Sequence, residues 1–269
     1  MTALASAPAA GDAEPVPAGT AVLEALAAGA VRAVDPDPDA PDGWRVRPEI
    51  KAAILATFAD RTSSVWETGP LVFRDRTALA PIDPGPDRRI VPGGTAIRAG
   101  AHLEPGVIVM PPSYVNFGAW IGAGTMVDSH VLVGSCAQIG ARVHLAAGVT
   151  IGGVLEPAGA RPVIVEDDAF VGAGSRLLEG VLVGRGAVIG AGVVLTGTSR
   201  VFDLVEEREL TGTTERPLAI PPGAVVVPGS RPAPGAWGRE LGLQISTALI
   251  VKRRDPGTDA RVALEAALR

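Results

Sequence analysis

Residues 121–152 read IGAGTMVDSHVLVGSCAQIGARVHLAAGVTIG, and within them an aliphatic residue returns at every sixth position: Ile121, Val127, Val133, Ile139, Leu145 and Ile151. Followed toward the N-terminus, the same spacing adds Val91, Ile97, Leu103, Val109 and Val115. On the other side the register breaks at 157–164 and restarts as Val165, Val171, Leu177, Val183, Ile189, Leu195 and Val201. Chance does not produce such a run. Glycine often follows the aliphatic residue (Gly122, Gly134, Gly140, Gly152). A small or β-branched residue stands four places after it (Thr125, Val131, Ala137, Val143). A period of six fits neither the 3.6-residue period of a helix nor the two-residue period of a strand. It is the hexapeptide signature of a parallel β-helix. Each hexapeptide forms one flat side of a triangular coil, and three of them, about 18 residues, close the coil. The aliphatic residue points inward onto its equivalent one coil away, and glycine suits the tight corners because it accepts positive φ. The spacing predicts about six coils.

Composition agrees with that geometry. The chain of 269 residues contains 34 Gly and only 5 Phe, 4 Trp and 1 Tyr, so the core must be thin and built from small repeated units. The 24 Pro and 34 Gly approach a low-complexity composition, but 47% hydrophobic residues and a mean hydropathy of +0.29 exclude disorder for most of the chain. A net charge of −5 argues against general affinity for nucleic acid. The single cysteine, Cys136, permits no intrachain disulfide and makes a cytoplasmic setting the expectation. No apolar run reaches the roughly 18 residues of a membrane span.

The domain reading follows. Met1–Pro17 is Ala- and Pro-rich, lacks a basic segment before an apolar one, and is expected to be a disordered tail rather than a signal peptide. Residues 18–88 are expected to form a small α-helical N-terminal domain, since 18–30 and 47–60 carry helical apolar spacing (Val22, Leu23, Leu26; Ile50, Ile54, Leu55, Phe58). Residues 89–230 are the β-helix, with an acidic excursion at 203–217 and a last coil at 220–226. Residues 231–269 form a C-terminal extension, with a strand at 246–252 and a closing helix at 258–268.

Several strings are more specific than the repeat: Pro112-Ser113-Tyr114-Val115-Asn116, Gly124-Thr125-Met126-Val127-Asp128, SCAQIG at 135–140, Val143-His144-Leu145 and GGVLEP at 152–157. With Arg89-Ile90-Val91-Pro92-Gly93 and Val251-Lys252-Arg253, they closely resemble the 2,3,4,5-tetrahydropyridine-2,6-dicarboxylate N-succinyltransferases over most of the chain. The resemblance implies a left-handed β-helix and a homotrimer with active sites between neighbouring subunits, and no metal requirement. It also implies succinyl transfer from succinyl-CoA to the amine of ring-opened tetrahydrodipicolinate, in lysine and diaminopimelate biosynthesis.

Acyl transfer from a thioester needs a neutral amine and a group that takes its proton. A dicarboxylate acceptor also needs cations, arginine above all, because its fork matches a carboxylate. The resemblance assigns Asp128 as catalytic and Arg89 as substrate-binding. The later family pattern G-A-R-S-E reads here Gly172-Ala173-Gly174-Ser175-Arg176. Gly174 replaces the family arginine, and Arg176 reverses the charge of a second catalytic carboxylate. The register from Val165 to Val183 is unbroken, so a shifted alignment does not remove the difference. A further departure, Asp128-Ser129-His130 where the family commonly has D-T-W, brings a titratable group beside Asp128. Arg176 and His130 are therefore added as substrate-binding candidates. Three explanations stay open: Arg176 supplies the missing guanidinium, the site takes another amino-acid acceptor or acyl group in specialised metabolism, or activity is lost. Arg200, Lys252 and Arg253, near the C-terminal coils, are candidates for the phosphates of coenzyme A.

Rival classes are weaker. A metal-dependent β-helix enzyme needs three converging histidines, whereas His102 and His144, seven hexapeptides apart, fall on different faces and His130 sits at another phase of the repeat. Among the wider acetyltransferases His130 is the better candidate base. Cys136 reads as a buried small hydrophobe, and a purely structural solenoid would not need SCAQIG or GGVLEP.

Overall fold

A computed structural model describes residues 16–258. The expected closing helix at 258–268 and most of the expected N-terminal tail lie outside the described residues. The centre of the molecule is a triangular parallel β-helix with three faces. Face 1 runs through Arg89–Ile90, Ile108–Val109, Met126–Val127, His144–Leu145, Phe170–Val171 and Val188–Ile189. Face 2 runs through Ala96–Ile97, Tyr114–Val115, Leu132–Val133, Thr150–Ile151, Arg176–Leu177 and Val194–Leu195. Face 3 runs through His102–Leu103, Trp120–Ile121, Gln138–Ile139, Ile164–Val165, Leu182–Val183 and Ala219–Ile220.

Every face is a parallel ladder whose second residue points inward. Val127, Val133, Ile139, Leu145 and Ile151 are fully buried, as are Val165, Val171, Leu177, Val183, Ile189 and Leu195. Each such side chain contributes about 1.5–3 kcal/mol relative to exposure, which makes the period itself the source of stability. The small residue four places on also has a role. Ser113, Thr125 and Ser175 hydroxyls each donate at 2.8 Å to a carbonyl 15 residues ahead and accept the N–H 18 residues ahead.

Two positions in the repeat do not behave as the spacing suggests. At the first coil the partner of Val109 is Ile90 rather than Val91, and Ile90, itself half-buried, is the one that packs against the core. The cause is the corner Pro92-Gly93-Gly94, which adds a residue. Gly93 holds φ +140 where a Cβ would meet Pro111 at 2.7 Å. The slip puts Arg89 at the outward strand position. At the other end Val201 is buried but does not stack on Val183, whose partner is Ile220. Val201–Asp203 instead leaves the coil, pairs with Arg208–Leu210, and lies beside Gln244–Arg253. That last strand pairs antiparallel with Ala224–Pro232 over the top of face 1.

Two excursions interrupt the coils after face 2. The first is 152–163, which lengthens the step from His144 to Phe170 to 26 residues where the regular step is 18. The second is 196–218, containing the Val201–Leu210 hairpin.

The N-terminal unit holds both expected helices, α1 (Ala21–Ala27) and α2 (Pro48–Thr57), the latter opened by proline at its first turn. Two antiparallel pairs accompany them, Val34–Pro36 with Trp44–Val46 and Ser63–Thr68 with Leu71–Arg76. Val22, Leu23 and Leu26 of α1 and Ile50 and Ile54 of α2 share one apolar cluster with Ile164, Leu182 and Cys136. The unit therefore covers the outer side of face 3.

Candidate active site

Asp128 sits at the corner where face 1 turns into face 2, directly after Met126–Val127. Its position is set by the backbone. Its N–H donates to Leu145 O at 2.9 Å, and its carbonyl accepts from Ser113 Oγ at 2.8 Å. Its carboxylate Oδ1 accepts the Ser129 N–H at 2.6 Å. Among the described residues Oδ2 has no partner, so the half-buried carboxylate keeps one oxygen for a proton or a ligand.

His130 follows on the same corner, exposed, with φ +61 and its N–H bonded to Pro112 O at 2.8 Å. The corner repeats up the helix as Gly148, Gly174 and Gly192, at φ +71, +70 and +72. Their N–H groups each bond the carbonyl one coil below, from Ser129, Ala147 and Ala173. His130 and Gly174 thus belong to one vertical edge, two coils apart, a relation hidden in the sequence by the 152–163 excursion. Positive φ is the ordinary state of this edge, and glycine is the residue that adopts it without cost. A Cβ on Gly174 would meet open space.

Arg176 stands two residues past Gly174, exposed on the outer side of face 2 between Thr150 and Val194. No side chain among the described residues bonds its guanidinium. Arg89 is likewise exposed, on face 1 of the first coil. Arg89, Asp128 and Arg176 occupy the first, third and fifth coils. At about 4.8 Å per coil they are strung along roughly 20 Å of the helix axis. The structure brings Asp128 and His130 together and leaves the two arginines apart.

The three coenzyme A candidates all carry carboxylate partners. Arg200 forms a two-pronged pair with Glu209 and lies over the Phe202 ring. Lys252 pairs with Asp255 at 2.7 Å. Arg253 bonds Asp203 and Glu206, each at 2.7 Å. A cleft of about 340 Å³ above face 2 is lined by Val194, Thr198, Ser199, Arg200, Arg231, Ser246 and Thr247. Arg231 is a cation of this cleft that sequence reasoning missed, and it bears no recognisable motif.

A second cleft, of about 320 Å³, lies at the opposite edge of face 2, between the two excursions. Gly153, Glu156, Glu179, Thr198, Thr213 and Thr214 are among its walls. Glu179 Oε2 accepts the Gly197 N–H at 3.2 Å. Both clefts, the Asp128 edge and Arg176 border face 2.

Several buried polar groups were not read from the sequence. Lys51, fully buried on α2, donates to Pro157 O at 3.1 Å and Ala160 O at 2.7 Å in the first excursion. Burial pushes its pKa down. Arg161 donates to Gly180 O, Pro217 O and Leu218 O and pairs with Asp42. Arg32 lies 3.9 Å above the Trp120 ring, and both Nε and Nη2 donate to Gln138 Oε1 at 3.0 and 2.9 Å. Burial draws its guanidinium down to about 10. The one usable signal was composition, since Lys51 is one of only two lysines and lies between Ile50 and Ile54 on a core-facing helix.

The remaining candidates resolve simply. Cys136 is fully buried and burial pushes its thiol up to about 12, so Lys51, which acts in the opposite direction, does not make it a nucleophile. His102 lies on face 3 against Trp120, with ring centroids 4.1 Å apart. His144 lies buried on face 1 against Phe170, and His130 is on the corner. The three histidines do not converge.

The family model described as the hexapeptide repeat of succinyl-transferase matches residues 162–197. A 2,3,4,5-tetrahydropyridine-2,6-dicarboxylate N-succinyltransferase of Idiomarina loihiensis is 43% identical over 84% of this chain and 80% of its own. The chain belongs to that succinyltransferase family. A member from Polynucleobacter asymbioticus is 39% identical over 93% of this chain and 88% of its own. A solved structure from Campylobacter jejuni, described as a 2,3,4,5-tetrahydropyridine-2-carboxylate N-succinyltransferase, is 20% identical over 85% of this chain and 61% of its own, with a TM-score of 0.44. As a succinyltransferase-family chain, the protein is an acyltransferase built on the left-handed parallel β-helix. No helix of the described residues is long and apolar enough to cross a membrane.

Proposed function

We propose that the protein transfers the succinyl group of succinyl-CoA to the amine of ring-opened tetrahydrodipicolinate, 2-amino-6-oxopimelate, in the cytoplasm. The observation that carries this reading is the 43% identity to the Idiomarina enzyme over most of both chains, together with Asp128 held at its corner with one free carboxylate oxygen. The amine nitrogen attacks the thioester carbonyl and forms the amide C–N bond. The C–S bond breaks. Asp128 takes the proton lost by the nitrogen, and that proton ends on the leaving thiolate, giving free coenzyme A and N-succinyl-2-amino-6-oxopimelate. No step calls for a metal.

Arg89 and Arg176 supply guanidinium forks for carboxylates, and His130 lines the rim beside Asp128. Since Arg89, Asp128 and Arg176 span roughly 20 Å in one copy, one small dicarboxylate cannot touch all three there. The proposed assembly is a homotrimer in which the bare face 2 of one copy meets the Asp128 edge of the next. Arg200 and Arg231, which line one cleft, are the proposed station for the donor's phosphates. Arg200 would first have to leave Glu209, as Lys252 and Arg253 would have to leave Asp255 and Asp203 with Glu206.

The sequence resemblance leaves a second reading open. It places a carboxylate where this chain has Arg176, and a guanidinium there would suit an acceptor other than tetrahydrodipicolinate. A free-thiol assay with succinyl-CoA and acetyl-CoA against a panel of amino-dicarboxylates separates the two. The first reading expects succinyl-CoA with tetrahydrodipicolinate to release coenzyme A fastest, and Arg176→Glu to weaken it. A gain of activity on tetrahydrodipicolinate in Arg176→Glu would establish the second. If no pairing releases coenzyme A, both fail.

A further inference from the structure

The two excursions that wall the 320 Å³ cleft are not held by the β-helix alone. The first, 152–163, is gripped from outside by Lys51 of α2, whose ammonium donates to Pro157 O and Ala160 O. The second, 196–218, is gripped through Arg161. The Arg161 guanidinium donates to Pro217 O and Leu218 O, to Gly180 O on the coil below, and to the Asp42 carboxylate of the N-terminal unit. Arg161 itself belongs to the first excursion, so this one side chain ties both excursions to each other and to the N-terminal unit.

A charge placed in this interior is an expensive way to fill space, since an apolar residue of similar volume generally costs less. Lys51 lies among Ile50, Ile54 and Cys136, none of which needs an ammonium beside it. What the ammonium supplies is two directed hydrogen bonds to a segment outside the repeat, which lacks the ladder that orders the coils. Loops without a ladder are the part of a fold most free to open locally. The cleft they enclose borders face 2, the face that also carries Arg176 and runs up to the Asp128 edge.

We infer that Lys51, with the Asp42–Arg161 pair, is a positioning residue for substrate binding. Together they fix the excursions 152–163 and 196–218 in the shape that forms the cleft, and one end of one substrate occupies that cleft. The N-terminal unit is then a brace for the binding site as well as a cover for face 3. The inference rests on the acyl-transfer reading above.

The test uses the full-length protein with the Lys51→Met variant, which keeps the length of the side chain and removes its donors, and with Asp42→Asn as a milder second variant. The expected result is a KM for one substrate, donor or acceptor, raised about tenfold, with the other KM and kcat within about twofold. Hydrogen exchange should quicken in 152–163 and stay unchanged in the coils of faces 1 and 2. A merely structural role would lower kcat through loss of folded enzyme and leave both KM values alone, and that result overturns the inference. If Lys51→Met does not fold, Asp42→Asn decides: a selective KM increase of about threefold or more supports the brace, and unchanged constants overturn it. Failure of the activity reading looks different, because there the wild-type protein releases no coenzyme A with any acceptor.

Discussion

On face 3 the outward residues Gln138, Ile164 and Leu182 lie buried under the N-terminal unit, with Trp120 sandwiched between His102 and Arg32. On face 2 the outward residues at the same place in the repeat, Leu132, Arg176 and Val194, stand exposed. The inward residues of the two faces are interchangeable, all aliphatic and all buried. The difference shows that a hexapeptide coil specifies its core with two residues in six, the aliphatic one and the small one four places on, and leaves the outward residue open to be spent. Face 3 spends it on docking a second unit, and face 2 leaves it exposed, the surface on which the proposed ligand and inter-copy contacts fall.

That contrast can be broken most severely at the edge of face 2. Asp128→Asn keeps the size and the Ser129 contact but cannot take a proton, and should lower kcat/KM by about 10²–10⁴-fold with an unchanged melting temperature, measured by thiol release and thermal unfolding. A pair of substitutions at equivalent outward positions sharpens the comparison further. Gln138→Leu on face 3 removes the acceptor of the buried Arg32 guanidinium and should cost about 1–3 kcal/mol of stability while leaving KM alone. Arg176→Glu on face 2 should do the reverse, raising the acceptor KM about tenfold with little change in stability. If both variants lose stability alike, the two faces are not used differently.

The smallest effect concerns a covered region held by charge. Burial alone would raise the Asp203 pKa, but the Arg253 guanidinium and the Val205 and Glu206 N–H groups outweigh it and hold the carboxyl below its ordinary value. A carboxyl with a depressed native pKa stabilises the fold fully above the unfolded value near pH 4, and that stabilisation fades as pH falls through the native value. Asp203→Asn should therefore melt about 2–4 °C below wild type at pH 7, with the gap closing as pH drops below about 4. A gap that does not depend on pH would assign the loss to packing.

Much of this was legible in the sequence because a period of six is a statement about which residue points inward. The places it misled are places where an aliphatic residue has a neighbour equally able to fill the core. Val91 satisfies the spacing, but Ile90 is the residue that faces inward, because Pro92-Gly93-Gly94 lengthens one corner. Val201 satisfies it too, yet begins a hairpin instead of a coil. Outward positions follow no period, so the docking surface around Trp120 and Gln138 and the grip of Lys51 on the 152–163 excursion left no pattern to read. Asp128 was put forward through its motif. The relation of His130 to Gly174 was not, because it exists only after the coils are stacked and the excursion is set aside.

We propose that the reaction is assembled between two copies, with Asp128 from one and Arg176 from another. The most direct test co-produces Asp128→Asn and Arg176→Glu chains in equal amounts and measures thiol release at low acceptor concentration. If the site is shared, a random mixed trimer places an intact Asp128 opposite an intact Arg176 at about one interface in four, and activity should rise to about a quarter of wild type. Activity no higher than the average of the two variants measured alone would contradict the account.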